Sequence, residues 1–86
     1  MSAKVDVYST TYCPYCRAAE RMLDGKGVTY TAYDVTSDDA KRQWLYETTG
    51  MSTVPQIFID GRPVGGFTDL QALERKGELN GLLGLA

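Results

Sequence analysis

The pattern of apolar and polar residues predicts a strand, a helix and a second strand in the first part of the chain. Val5 and Val7 alternate with more polar neighbours, which predicts a strand near residues 4–9. Apolar residues then recur at helical spacing over 14–24, before a stop at Gly25-Lys26-Gly27. β-Branched and aromatic residues over 28–33 predict the second strand.

The middle of the chain predicts a second helix and a hairpin. Ser37 or Asp38 can cap a helix near residues 38–49. A short apolar strand at 56–59 is joined by the strong turn Asp60-Gly61 to a returning strand. The returning strand contains a proline, which lacks a backbone N–H, and this places it at an edge of the sheet.

The last part of the chain predicts two helices. Thr68 and Gln71 match a capping box, with Thr68 as the cap of a helix that runs to about residue 76. A short helix over 78–83 follows, and its leucines are expected to pack on the core. The first two strands need a crossover and are therefore parallel, whereas the last two form a hairpin. The sequence thus predicts an α/β fold, a four-stranded mixed sheet with helices on both faces.

Length and charge limit the classes of partner. The chain has 86 residues, which favours one domain over residues 1–86. Its formal net charge is −2 and it has no basic stripe, so nucleic acid is not an expected partner. No apolar run is long enough to cross a bilayer, and no signal peptide precedes the first strand. We therefore expect a cytoplasmic protein without membrane contact, in a compartment where thiols are kept reduced.

Candidate chemistry comes from the two cysteines, which stand three apart as Cys13-Pro14-Tyr15-Cys16 directly after the first predicted strand. A redox cysteine must be a thiolate, and a helix N-terminus stabilises one through its free N–H groups and dipole. Pro14 suits the first helical position, which makes Cys13 the cap. Cys16 lies about one turn later on the same side. Cys13 is therefore predicted to be the exposed nucleophile and Cys16 the resolving thiol.

Two other interpretations of the cysteine pair stay open. Half of a zinc site would need ligands from a second chain or unusual carboxylates, because the sequence has two cysteines and no histidine. A structural disulfide or inert core thiols would also fit two cysteines. The spacing after a strand–helix junction favours redox chemistry over both, and no metal site is predicted.

Three motifs in this order resemble those of small bacterial dithiol glutaredoxins: Cys13-Pro14-Tyr15-Cys16, Thr53-Val54-Pro55 and Gly65-Gly66-Phe67-Thr68-Asp69-Leu70. The resemblance covers nearly the whole chain and implies a thioredoxin fold with a glutathione-binding groove. It implies a glutathione-dependent oxidoreductase that reduces protein–glutathione mixed disulfides and protein disulfides through Cys13 and Cys16. Glutathione would be the reducing co-substrate, with no tightly bound cofactor.

The resemblance also implies partners and an oligomeric state. The protein is expected to be a monomer that acts on glutathionylated or disulfide-containing proteins. Ribonucleotide reductase is a candidate partner by family association alone.

The implied groove residues each have a physical role. In the family Pro55 follows a cis bond, which would turn the backbone of Val54 toward a peptide-like ligand. Gly66 permits close approach of that ligand, and the helix start at Thr68 and Asp69 suits its γ-glutamyl carboxylate, with Asp69 meeting the ammonium group. A guanidinium at Arg42 suits the glycine carboxylate. The predicted glutathione-binding residues are Tyr15, Arg42, Thr53, Val54, Pro55, Gly66, Thr68 and Asp69.

Each groove residue also has an ordinary structural interpretation. The proline can simply start a strand in a loop. The paired glycines and their acidic neighbour can be a plain helix start. Arg42 can be a solvated helix charge, and Tyr15 a partly buried aromatic on the first helix.

The chain departs from the family at two positions. Thr10 stands where many members have a lysine, and Thr68 stands where the family has an aspartate. Loss of the ammonium should raise the cost of forming the thiolate and weaken glutathione binding, unless Arg17, Arg42 or the helix end compensates. These departures concern affinity and rate, not the class of reaction.

Three other functions remain compatible with parts of the pattern. A glutaredoxin-like protein reduced by thioredoxin reductase would have a different active-site tetrapeptide and no paired-glycine groove. An iron–sulfur carrier would bind a cluster through Cys13 and glutathione across a dimer, usually with a small residue in place of Pro14. A non-catalytic adaptor would not require both cysteines.

Overall fold

Residues 3–85, which the computed structural model describes, form four strands and four helices. In chain order these are β1 (Val5–Ser9), α1 (Pro14–Gly25), β2 (Thr31–Asp34), α2 (Asp39–Thr49), β3 (Gln56–Ile59), β4 (Arg62–Gly65), α3 (Phe67–Arg75) and α4 (Leu79–Leu83). The strand order is β2-β1-β3-β4, with β1 and β2 parallel and the other neighbours antiparallel. The predicted mixed sheet and the edge position of the proline-containing strand are confirmed. None of the helices in this part of the chain is long and apolar enough to cross a bilayer.

β1 is buried on both faces, although its sequence alternates apolar and more polar residues. All five residues of the strand are buried. Val5 and Val7 face a main cluster that α1, α3 and α4 cover, and Tyr8 faces a second cluster under α2. The alternating residues therefore point to two different buried faces, and neither face of β1 is exposed to solvent.

Two apolar clusters flank the sheet. The main cluster comprises Val5, Val7, Ala19, Leu23, Val28, Ile57, Ile59, Leu70, Leu79 and Leu83. The second cluster comprises Tyr8, Val35, Leu45 and Phe58, with Val54 packed against it. Helices therefore lie on both faces, as predicted. Burial, followed by the Asp6 carboxylate, raises the pKa of Tyr8.

The second strand begins later than the sequence predicted. The prediction was 28–33, whereas β2 spans Thr31–Asp34. The backbone N–H of Val28 donates to the Leu23 carbonyl at the end of α1, at 3.3 Å, and the Val28 side chain is buried in the main cluster. Val28 thus lies in the turn that follows α1, and the second strand pairs with β1 only from Thr31 onward.

The predicted cap of the third helix is wrong. The cap is Gly66, and Thr68 lies inside the first turn of α3. The Asp69 carboxylate accepts a hydrogen bond from the Gly66 N–H at 3.0 Å. Gly65 has a φ of 118°, and a Cβ there would overlap the Asp69 carboxylate. The chain can therefore turn sharply at the paired glycines, and α3 starts two residues earlier than a threonine cap would allow.

The loop before α1 is attached to the end of β2. The Thr11 N–H donates to the Thr36 hydroxyl at 2.9 Å, and this hydroxyl donates to the Asp34 carboxylate at 2.6 Å. The Thr36 N–H donates to the same carboxylate oxygen at 2.9 Å. The hydroxyl, and after it the backbone N–H, lowers the pKa of Asp34. This chain of hydrogen bonds holds the segment that leads into the first cysteine.

The last two helices are connected to the end of α1. Lys26 forms an ion pair with Glu74 at 2.8 Å and donates to the Asn80 side-chain oxygen at 2.8 Å. Leu79 and Leu83 of α4 are buried, whereas Leu82 is exposed. The predicted final helix is thus confirmed, and two of its leucines pack on the core.

The cap assignment can be tested by substitution. Asp69→Ala should lower the free energy of unfolding by about 1 kcal/mol, because the Gly66 N–H loses its side-chain acceptor. Thr68→Ala should change it by less than about 0.5 kcal/mol. Urea unfolding at neutral pH measures both, and Asp69→Asn is the control that keeps an acceptor. A larger loss for Thr68→Ala than for Asp69→Ala would contradict the assignment.

The Asp34 hydrogen bonds predict a pH dependence of stability. The pKa of Asp34 is lowered below 3.8 in the folded state, so its ionised form stabilises the fold above that pH. This contribution should be lost as the pH falls through the folded pKa. The stability difference between the wild type and Asp34→Asn should therefore be constant from about pH 5 to 7 and shrink toward pH 3, in urea unfolding. Thr36→Val should reduce the same difference, and a difference that grows in acid would refute the assignment.

Candidate active site

Both cysteines lie at the start of α1. Cys13 is the N-cap and Pro14 occupies the first turn, as the sequence predicted. The Cys16 N–H donates to the Cys13 sulfur at 3.1 Å. A negative charge on this sulfur would be stabilised by that N–H and by the positive end of the helix.

The two sulfurs differ in access. They are paired as a disulfide across one helical turn, with Cα atoms 5.1 Å apart. Cys16 is completely buried, whereas Cys13 is only partly buried. An external thiol or disulfide can therefore reach Cys13 and not Cys16. This asymmetry agrees with an attacking sulfur at position 13 and an internal partner at position 16.

Arg17 places a positive charge beside Thr10. Its guanidinium donates to the Thr10 carbonyl and to the Ser9 hydroxyl, both at 3.4 Å. It also forms an ion pair with Glu20 at 3.3 Å. A cation thus lies against the residue that replaces the family lysine, but its charge is shared with a carboxylate.

The second motif lies next to Cys13, at the edge of the sheet where β1 ends and β3 begins. The Val54–Pro55 peptide bond is cis. The Val54 carbonyl oxygen lies 3.6 Å from the Cys13 sulfur, close enough to accept a hydrogen bond from a Cys13 thiol. The Val54 N–H has no hydrogen-bond partner within residues 3–85. An unpaired donor therefore lies next to the reactive sulfur, where a ligand backbone could accept from it.

The third motif completes a cleft of 340 Å³ beside the second motif. The cleft is lined by Tyr15, Met51, Thr53, Val54, Pro55, Gly66, Phe67, Thr68 and Asp69. A Cβ on Gly66 would lie 3.4 Å from the Pro55 carbonyl, so glycine permits the third motif to approach the second. The structure thus brings together every predicted groove residue except Arg42.

Arg42 lies on a neighbouring surface rather than in the cleft. Its exposed side chain borders a narrow hollow that Thr53 and Val54 also line. No carboxylate within residues 3–85 forms an ion pair with it. Arg42 is therefore available to a ligand that extends out of the cleft past Val54.

Two lining residues were missed by the sequence reasoning. Phe67 lies in the first turn of α3, with its ring centroid 6.2 Å from that of Tyr15. Met51 precedes the second motif and is 41% exposed. Phe67 stands inside the third motif, and an aromatic residue at a helix start beside paired glycines was the signal available for it. Met51 carried no such signal, because it stands in a loop of no recognisable pattern.

A larger hollow elsewhere has no comparable chemistry. It has a volume of 530 Å³ and is lined by Asp34, Thr36, Ser37, Asp38 and Asp39. These residues offer carboxylates and hydroxyls but no thiol. The cleft beside Cys13 is therefore the better candidate for the active site, although it is smaller.

Comparison with known proteins agrees with this arrangement. The sequence profile of the glutaredoxin family matches residues 5–64. The chain is 42% identical to glutaredoxin 3 of Escherichia coli over 81 residues, which cover 94% of this chain and 98% of that protein. It is 43% identical to a glutaredoxin of Pseudomonas aeruginosa over 79 residues, covering 92% of this chain and 94% of the relative.

Solved structures give the same result. The buckwheat glutaredoxin–glutathione complex superposes with a TM-score of 0.91 and 32% identity, covering 95% of this chain and 77% of that one. The solution structure of a Brucella melitensis glutaredoxin superposes with a TM-score of 0.87 and 38% identity, covering 98% and 91%. The fold is therefore the thioredoxin fold of these proteins. The chain belongs to the glutaredoxin family of glutathione-dependent thiol–disulfide oxidoreductases.

Proposed function

We propose that this protein reduces glutathione mixed disulfides and protein disulfides, with Cys13 as the nucleophile and Cys16 as the resolving thiol. The observation that carries the proposal is the cleft that adjoins the one accessible sulfur of the pair. The buckwheat relative was solved as a complex with glutathione. The three motifs that line the cleft in this chain would place the same tripeptide beside Cys13.

The chemistry proceeds by thiol–disulfide exchange. The Cys13 thiolate attacks the glutathione sulfur of a mixed disulfide, a new S–S bond forms, and the thiolate of the target protein leaves and takes a proton. A second glutathione thiolate then attacks the glutathione sulfur, releasing oxidised glutathione and the Cys13 thiolate. For a protein disulfide, the Cys13 thiolate attacks one sulfur of the target and the other sulfur leaves as a thiolate. The Cys16 thiolate then attacks the Cys13 sulfur, which is close enough to bond to it, so that the Cys13–Cys16 disulfide forms and the second target thiolate leaves. Two glutathione molecules reduce this disulfide in turn and are released as oxidised glutathione.

The cleft suggests how glutathione is oriented. The free Val54 N–H and the Val54 carbonyl can pair with the backbone of the cysteine of glutathione. The first turn of α3, at Thr68, would receive the γ-glutamyl carboxylate. One oxygen of Asp69 accepts from the Gly66 N–H, which leaves the other for the ammonium group. Arg42 would bind the glycine carboxylate beyond Val54.

The expected setting follows from the same chemistry. A glutathione-dependent reductase works where thiols are kept reduced, so we propose the cytoplasm as its location. Its macromolecular partners would be proteins that carry a glutathione mixed disulfide or a disulfide. Residues of one chain form the cleft, and Cys13 lies beside its Val54 wall, so we propose that the protein acts as a monomer.

The proposal is tested by a coupled assay. Purified protein is mixed with glutathione, glutathione reductase and the mixed disulfide of glutathione with 2-mercaptoethanol, and NADPH consumption is followed. Turnover that depends on both glutathione and the added protein supports the proposal. Absence of turnover, with reduction by thioredoxin reductase instead, would refute it.

Substitution of each cysteine should affect the two activities differently. Cys13→Ser should abolish both activities, because no accessible sulfur remains. Cys16→Ser should keep reduction of the glutathione mixed disulfide and lose reduction of a protein disulfide, since the internal attack is removed. Both reactions are measured by NADPH consumption. Full activity of Cys13→Ser in either assay would overturn the assignment.

Arg42 should contribute to glutathione affinity. Arg42→Gln should raise the KM for the mixed disulfide of glutathione with 2-mercaptoethanol about three- to tenfold with a smaller change in kcat, because a charge-assisted contact is lost while the sulfurs are untouched. Arg21→Gln is the matched control, since Arg21 is an exposed arginine on α1. Equal KM values for Arg42→Gln and the wild type would exclude Arg42 from the binding site.

A further inference from the structure

A buried amide lies directly behind the second motif. Gln56 is the first residue of β3 and its exposed fraction is 0%. Ile57 and Ile59 face the main cluster, so Gln56 lies on the opposite face with Phe58, beside the second cluster. Burial of a polar side chain in such a place is unfavourable unless its polar atoms form hydrogen bonds.

The Gln56 amide is bonded to the wall of the cleft. Its Nε2 donates to the Thr53 carbonyl at 2.8 Å and lies 3.4 Å from the Thr53 hydroxyl. A carbonyl oxygen can only accept, so the NH₂ group of the amide must face it. The side chain therefore reaches back past the Val54–Pro55 bond and joins the first residue of the second motif to the start of β3.

This hydrogen bond restrains the backbone segment that lies next to Cys13. Thr53 and Val54 line the cleft, and the Val54 carbonyl lies 3.6 Å from the Cys13 sulfur. Residues 50–55 form no helix or strand, so backbone ladders do not hold this segment. The hydrogen bond from the buried Gln56 amide to the Thr53 carbonyl therefore restrains the direction of the adjacent, free Val54 N–H.

Fold stability does not account for this glutamine. Gln56 Oε1 is buried and has no partner within residues 3–85, which is unfavourable for a polar atom. An apolar residue of similar size would avoid that cost. Thr53 is exposed, so its carbonyl could bond to water if the amide were removed. Removal of the amide is therefore expected to cost little folding free energy and to release the Thr53 carbonyl from its hydrogen bond.

We propose that Gln56 is a positioning residue for the disulfide substrate, acting through Thr53 to hold the Val54 backbone against Cys13. The proposal rests on the proposed function and assigns a role to a residue that touches neither sulfur. Loss of the amide should loosen the wall that binds the tripeptide while leaving the two cysteines and their helix unchanged.

The test is Gln56→Met, which keeps the size of the side chain and removes the donor. We expect the KM for the mixed disulfide of glutathione with 2-mercaptoethanol to rise about three- to tenfold, with kcat within about twofold of the wild type. The unfolding temperature should stay close to that of the wild type. In amide NMR spectra of the reduced protein without glutathione, the signals of Thr53 and Val54 should shift more than those of α1.

Ile59→Val is the control, because Ile59 is a buried residue of β3 that faces the main cluster, away from Val54. It should lower stability and leave KM unchanged. A KM equal to that of the wild type in Gln56→Met would refute the positioning role of Gln56, and so would an equal rise in KM in Ile59→Val. No turnover by the wild type would instead refute the proposed function. In that case unshifted Thr53 and Val54 signals in Gln56→Met would still overturn the positioning role.

Discussion

The antiparallel pairing of β1 with β3 is the contact on which the site depends. The register pairs Val5 with Ile59 at one end and Tyr8 with Gln56 at the other. Beyond Tyr8 the chain leads to Cys13, and before Gln56 it passes through Val54–Pro55. Because the end of β1 and the start of β3 lie at the same edge of the sheet, these loops converge, although Cys13 and Val54 are 41 positions apart in the sequence. A one-residue slip would reverse both faces of the strand, so two buried clusters hold the register.

The parallel pairing of β1 with β2 supplies the other half of the site. A parallel pair needs a crossover, and α1 provides it. The helix consequently begins at the edge of the sheet where β1 ends, with its free N–H groups at Cys13. The topology of the sheet thus determines that the positive end of a helix faces the cleft. The same requirement buries Cys16 one turn into the helix, where external thiols cannot reach it.

At the start of α3 one carboxylate both caps the helix and lines the cleft. Asp69 closes the turn after Gly65 by accepting from the Gly66 N–H, and it also lines the cleft. Thr68, which stands where the family has an aspartate, does not cap the helix and lies exposed at the cleft. Asp69 therefore caps the helix with one oxygen, and no hydrogen bond to its second oxygen occurs within residues 3–85. The loss of one acidic residue at this position is thus compatible with an intact helix start.

The sequence by itself determined the order of elements, the reactive pair and the class of reaction, because these depend on local spacing and on motifs that are contiguous in the chain. Cys13 as a helix cap and Asp60-Gly61 as a hairpin turn needed nearest neighbours alone. The start of β2, the cap of α3, and the contributions of Phe67 and Met51 to the cleft were decided by tertiary structure. The Val28 N–H donates to the Leu23 carbonyl and does not pair with β1. Gly66, and not Thr68, is the cap of α3 because the Asp69 carboxylate packs against Gly65. Contacts of this kind join residues through space, and local propensity does not encode which of two adjacent candidates will make them.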